Sequence, residues 1–91
     1  MEYDVEHNEE LGRFQIKYGE ETAFISYSVY GDTINFNRTY TPPALRGRGM
    51  AASLVRKAFE YSLEKKLKVT SECSYVLTFV QRYNTYKELM K

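Results

Sequence analysis

Pro42 and Pro43 stand side by side and run directly into Ala44-Leu45-Arg46-Gly47-Arg48-Gly49. Each proline lacks an N–H and fixes φ, so neither can sit inside a helix or a central strand. Whatever element precedes them must end there. Gly47 and Gly49 then allow backbone dihedrals and close approaches that a Cβ would forbid. Directly beyond, Met50, Leu54, Val55, Ala58, Phe59 and Leu63 recur at helical spacing, with Arg56, Lys57, Glu60 and Glu64 on the opposite face. The chain is thus divided into a first half, a basic glycine turn, and a helix expected from about Gly49 to Lys65.

The stretch from Thr41 to Ala51 reads as an anion cradle. Successive N–H groups between Arg46 and Ala51 can converge on one oxyanion. The helix start adds unpaired amides and the positive end of the dipole. Arg46 and Arg48 add guanidinium groups that match phosphate geometry. No Gly-Lys-Ser/Thr follows, so this is not a Walker A loop, and the spacing is not the GxGxxG of a dinucleotide fold. On these residues alone, a glycine-rich helix start with two solvated arginines is the competing reading.

Upstream, residues 1–12 are acidic and suggest a lead-in strand fragment or a mobile arm, with His7 read as a surface or loop histidine. Arg13 to Tyr18 alternates with period two, as a half-buried strand does. Thr22 to Tyr30 is a second strand, with Ala23, Ile25, Tyr27 and Val29 on one face and Phe24, Ser26, Ser28 and Tyr30 on the other. Gly31-Asp32 signals a tight hairpin, and Thr33 to Thr41 is a third strand, with Ile34 and Phe36 alternating against Asn35 and Asn37. Downstream, Leu67 to Glu72 is a short β-prone run that follows a helix closely enough to lie parallel to the third strand. Tyr75 to Tyr83 returns to helical spacing, and Tyr86 to Met90 adds a last turn. The order is βββ-α-β-α in one domain spanning residues 1–91, an α+β arrangement with a mixed sheet.

Composition narrows the function classes. The chain is 43% hydrophobic and 27% charged, which suits a folded domain rather than a disordered one. Its formal net charge of +1 argues against a nucleic-acid partner, although Arg38, Arg46, Arg48, Arg56 and Lys57 would be the residues of such a surface. No run approaches a membrane span, and no signal-peptide pattern opens the chain. One cysteine and one histidine, Cys73 and His7, make a metal site improbable. A lone cysteine also fits a reducing, cytoplasmic setting.

Taken together, the pieces resemble the small single-domain, YjdJ-type branch of the GCN5-related N-acetyltransferases. The opening Val5-Glu6-His7-Asn8 with Arg13-Phe14 is similar to the family's start. Arg38-Thr39-Tyr40-Thr41-Pro42-Pro43-Ala44-Leu45-Arg46-Gly47-Arg48-Gly49 resembles its H-T-x-x-P-x-x-L-R-G-x-G signature. The family's Gly-Leu-Lys-Val is here Lys66-Leu67-Lys68-Val69, and its cysteine, Pro or Ser, aromatic and Val appear as Cys73-Ser74-Tyr75-Val76. The resemblance covers nearly the whole chain. It implies a minimal acyl-coenzyme A acyltransferase fold with a splayed parallel strand pair. It further implies acetyl-coenzyme A bound by Thr41, Arg46, Gly47, Arg48, Gly49, Met50, Ala51 and Tyr75, and an amine acceptor of unspecified identity.

Cys73 is the catalytic candidate that the resemblance implies. Read from the residues alone, a lone cysteine can equally be a small buried hydrophobe or a group beside a ligand. Its place between a strand end and a helix start favours thiolate formation. A carboxylate such as Glu72, or water, is available to take the amine's proton in direct transfer, and Tyr75 or Tyr83 to protonate the leaving thiolate. Lys65, Lys66 and Lys68 read as a solvated helix end more readily than as a 3′-phosphate site. One departure stands out: Arg38 occupies the position of the family's histidine, and an arginine cannot serve as a general base. The principal alternative is therefore a module that binds acetyl-coenzyme A without turning it over.

Overall fold

The computed structural model describes residues 3–90, so the first two residues of the acidic lead-in and the terminal Lys91 lie outside the described residues. Five strands form one sheet in the order β1-β2-β3-β4-β5: β1 (Glu6–Asn8), β2 (Arg13–Tyr18), β3 (Glu21–Tyr30), β4 (Thr33–Tyr40) and β5 (Lys68–Ser71). The first three pairings are antiparallel and β4 with β5 is parallel. A 3-10 turn, Pro43–Leu45, precedes α1 (Met50–Glu64), and α2 (Ser74–Arg82) follows β5. A second 3-10 stretch, Asn84–Leu89, brings Met90 beside Val69 on the outer edge of β5. The mixed α+β fold and the βββ-α-β-α order are as the sequence indicates. The lead-in adds β1, in which His7 stacks on Phe14 at 4.2 Å between ring centroids rather than standing on a loop.

Period-two alternation decides which side of the sheet is buried. Phe14, Ile16, Ala23, Ile25, Ile34, Phe36 and Val69 all face one side. Leu54, Val55, Ala58 and Phe59 of α1 close over them, with Val76, Phe79 and Val80 of α2. Phe59 packs between Phe36 and Tyr86, at 5.5 Å and 5.0 Å between ring centroids, and Phe79 reaches the same Tyr86. Both helices therefore share one face. Leu63 departs from the expected core stripe. It is 60% exposed, and the fully buried position on that turn is Ser62, whose hydroxyl is satisfied by donating to the Ala58 carbonyl at 2.8 Å.

The opposite face of the sheet has no helix over it among the described residues. There Arg13, Phe24, Arg38 and Tyr40 stand together, with the Arg13 guanidinium 4.8 Å from the Phe24 ring centre. A register shift between β3 and β4 makes this possible. Ser26 pairs with Arg38 and Tyr27 with Phe36, so Asn37 is an extra residue on β4. This β-bulge reverses the alternation beyond it, turning Arg38 out and Thr39 in.

Candidate functional site

The glycine turn does what its sequence requires. Gly47 and Gly49 adopt φ of +81° and +78°, a left-handed conformation that costs other residues energy. An added Cβ at either would meet nothing within 4 Å, so backbone conformation rather than crowding selects glycine here, and open space lies above both. Gly49 is the N-cap of α1 and has no side chain to satisfy the first-turn amides. The Arg46 Nε donates to the Thr41 carbonyl at 3.1 Å, which ties the arginine across the mouth of the turn.

Beside this turn lies a cleft of about 480 Å³, lined by Thr39, Tyr40 and Thr41 from β4 and its exit, by Leu45, Arg46, Gly47 and Gly49 from the turn, by Met50, Ala51 and Ala52 from α1, and by Tyr75 from α2. Seven of the eight residues singled out from the sequence for cofactor contact meet here. Arg48 does not. Its guanidinium lies 5.4 Å from the Tyr18 ring centre and donates to the Tyr18 hydroxyl at 3.4 Å, because the left-handed glycines on either side swing it away from the cleft. A smaller pocket of about 150 Å³ shares Ala52 and Tyr75 with the cleft and continues along Thr78, Phe79, Arg82 and Tyr83. Lys65, Lys66 and Lys68 sit beyond the other end of α1, a helix length from the turn.

Pairing between β4 and β5 stops at Phe36 opposite Ser71. One further bond, from the Glu72 N–H to the Phe36 carbonyl at 3.1 Å, closes the ladder. Beyond it β4 runs on while the chain turns at Cys73 into α2, so the two strands part. Cys73 Sγ lies 3.4 Å from the Thr39 hydroxyl, across that gap and against the wall of the cleft. Partial burial pushes the thiol pKa up. The Thr39 hydroxyl and the amides of Val76, Tyr75 and Thr39 outweigh it by stabilising the thiolate, leaving the thiol below its ordinary value. Tyr75, whose phenol is pushed up by burial against a weaker pull from Arg56, stays protonated at neutral pH.

Thr39 is the residue that sequence reasoning passed over. Strict alternation from Ile34 and Phe36 would have aimed Arg38 inward and Thr39 outward. An arginine at an inward position was the available sign that the register breaks before it.

The model of the family described as GCN5-related N-acetyl-transferase matches residues 13–89. The chain belongs to that family. It is similar to Protein NATD1 of Xenopus tropicalis, 30% identical over 80 residues that cover 85% of this chain and 73% of that protein. The Danio rerio Protein NATD1 is 31% identical over the same shares. In structure, a GCN5-like protein from Staphylococcus aureus superposes with a TM-score of 0.72, covering 98% of this chain and 88% of the other at 22% identity, which establishes a common fold. The match from residue 13 to residue 89 takes in the turn, the cleft and Cys73 alike.

Proposed function

We propose that this member of the family transfers an acetyl group from acetyl-coenzyme A to an amine, with Cys73 as the nucleophile. The observation that carries the proposal is the cleft itself, with a guanidinium and open glycine amides at one end and a thiol of lowered pKa against its wall. The donor set fits a pyrophosphate: Arg46 supplies charge, and the amides from Gly47 to Ala51 supply hydrogen bonds at the helix start. Thr39, Tyr40 and Thr41 present the free edge of β4 to an extended pantetheine arm. Arg82 lies beside the continuing pocket, on the side suited to the nucleotide end.

In the transfer, the Cys73 thiolate attacks the thioester carbonyl and the coenzyme A thiolate leaves, protonated from solvent or from the Tyr75 hydroxyl. The deprotonated amine then attacks the Cys73 thioester, and the Cys73 thiolate is released. Exchange between two thioesters is close to isoenergetic, so the first step needs positioning rather than driving force. The Thr39 hydroxyl holds the sulfur in place at both stages. Glu72, next in the chain, or water takes the proton that the amine gives up.

Thermal unfolding with acetyl-coenzyme A, coenzyme A, ATP and a short RNA at matched ionic strength tests the binding half. A ligand at 100 times its Kd adds about 2.7 kcal/mol, which raises the midpoint of a domain this size by roughly 10 °C. Stabilisation by the coenzyme A compounds alone is expected, followed by an acetyl mass on Cys73 in the intact protein. No stabilisation by either compound sinks the assignment. Binding without transfer to Cys73 or to any amine leaves the non-catalytic module in its place.

A further inference from the structure

From the uncovered face of the sheet we infer that the acceptor is an amine carrying a carboxylate several carbons away, held between Arg38 and Glu72. The inference rests on the acetyl-transfer reading for where the reaction occurs, but not for the recognition itself. The bulge at Asn37 is its structural root. It puts Asn37 and Arg38 on the open face together, and leaves Thr39 on the helix face against Cys73. Glu72 likewise stands on the open face one residue before Cys73. The two charged groups therefore flank the gap where β4 and β5 part, each one residue from the pair that holds the reacting sulfur.

Each group is prepared for a partner of opposite sign. The Arg38 guanidinium lies 5.2 Å from the Tyr40 ring centre and 5.9 Å from that of Phe24. Among the described residues it meets no carboxylate, so its fork of donors is free for a bidentate carboxylate while the two rings stand beside its cation. Arg13 lies over the same Phe24 ring and adds a second positive charge. On the other side, Asn35 Nδ2 donates to Glu72 Oε1 at 2.9 Å and to Asn37 Oδ1 at 2.7 Å, and Asn35 Oδ1 accepts from Thr70 at 2.8 Å. This network fixes the Glu72 carboxylate and leaves it with acceptor capacity for an ammonium. The Arg38 guanidinium extends toward Tyr40 and Phe24, while the Glu72 carboxylate reaches back to Asn35, so the two charges stand apart along the open face. A molecule with amine and carboxylate on one carbon would not reach both.

The test is an NMR titration of the full chain with 5-aminopentanoate, its amide, and pentylamine, read at the backbone amides of Asn37, Arg38 and Glu72 and at the Arg38 side chain. The acid is expected to bind up to about fivefold more tightly than the other two, the worth of a well-formed ion pair at an exposed site. Arg38→Gln should bring the acid to the affinity of the amide, and Glu72→Gln should weaken all three probes. Shortening the probe to glycine should abolish the acid's advantage. Equal affinities for acid and amide overturn the proposal, as does an advantage that survives Arg38→Gln, or shifts confined to another surface. Thermal unfolding with coenzyme A is followed on the same samples. Failure there with the titration intact removes the acetyl-transfer reading and leaves the recognition site standing.

Discussion

A hydroxyl 3.4 Å from a thiol is a weak contact while the sulfur is protonated and a stronger one once it is charged. Thr39 therefore acts on Cys73 chiefly by favouring the thiolate, together with the first amides of α2. Their combined pull exceeds the opposing effect of burial. Cys73 should accordingly react with iodoacetamide along a pH profile whose midpoint lies below that of an ordinary thiol. Thr39→Val keeps the shape and removes the hydroxyl, so its midpoint should rise, while the amide contribution from α2 remains. A wild-type midpoint at or above the ordinary range, or one that Thr39→Val leaves in place, would show that the sulfur is no more than a half-buried apolar group.

Elements in this chain are set by their ends as much as by their periodicity. The two ends of α1 make opposite use of the left-handed region. At the N-terminal end Gly49 takes φ of +78° without strain. At the C-terminal end Lys66 takes φ of +57°, the only non-glycine among the described residues with positive φ. It does so because the Lys66 and Leu67 amides cap the carbonyls of Leu63 and Ser62 at 3.1 and 2.8 Å, a closure that needs a left-handed residue. This is the position where the family resemblance carries glycine. Gly49→Ala should cost about 1 kcal/mol and Lys66→Gly should gain about 1 kcal/mol, the penalty of a Cβ in that conformation. Urea unfolding measures both, and equal signs would refute the account. The same contrast explains what the sequence could convey. Period and punctuation located β2 to β5, α1 and the turn to within a residue or two, because Phe14, Ile25, Leu54 and Phe59 alternate or recur as burial demands. The bulge at Asn37, the inward Thr39 and the outward Arg48 were not legible. Each follows from a local backbone turn whose consequence is fixed only by its partner strand or ring.

The molecule as a whole is a one-sided sandwich, and its stability must come from the face that the helices cover. β1 is the shortest antiparallel edge of the sheet, and it is held to that face by His7. The imidazole stacks on Phe14, meets Tyr61 of α1 edge-on at 4.7 Å, and lies with Nε2 2.5 Å from the Tyr27 hydroxyl. Partial burial holds its pKa below the ordinary value of 6.5, with Glu9 pulling up and Lys65 pulling further down. The native state thus binds this proton less readily than the unfolded chain does. Between the lowered folded value and the ordinary one the unfolded chain carries more protons, so this contribution to stability is complete above the ordinary value, is lost as pH falls through that window, and changes no further below it. His7→Phe keeps a ring in the stack and removes the titration. The thermal midpoint of the wild type should therefore fall more steeply than that of His7→Phe between about pH 7 and pH 5, with the two curves parallel above that range. Parallel curves throughout would mean that the imidazole accepts its proton as freely in the fold as in water, and that β1 is fastened by its backbone ladder alone.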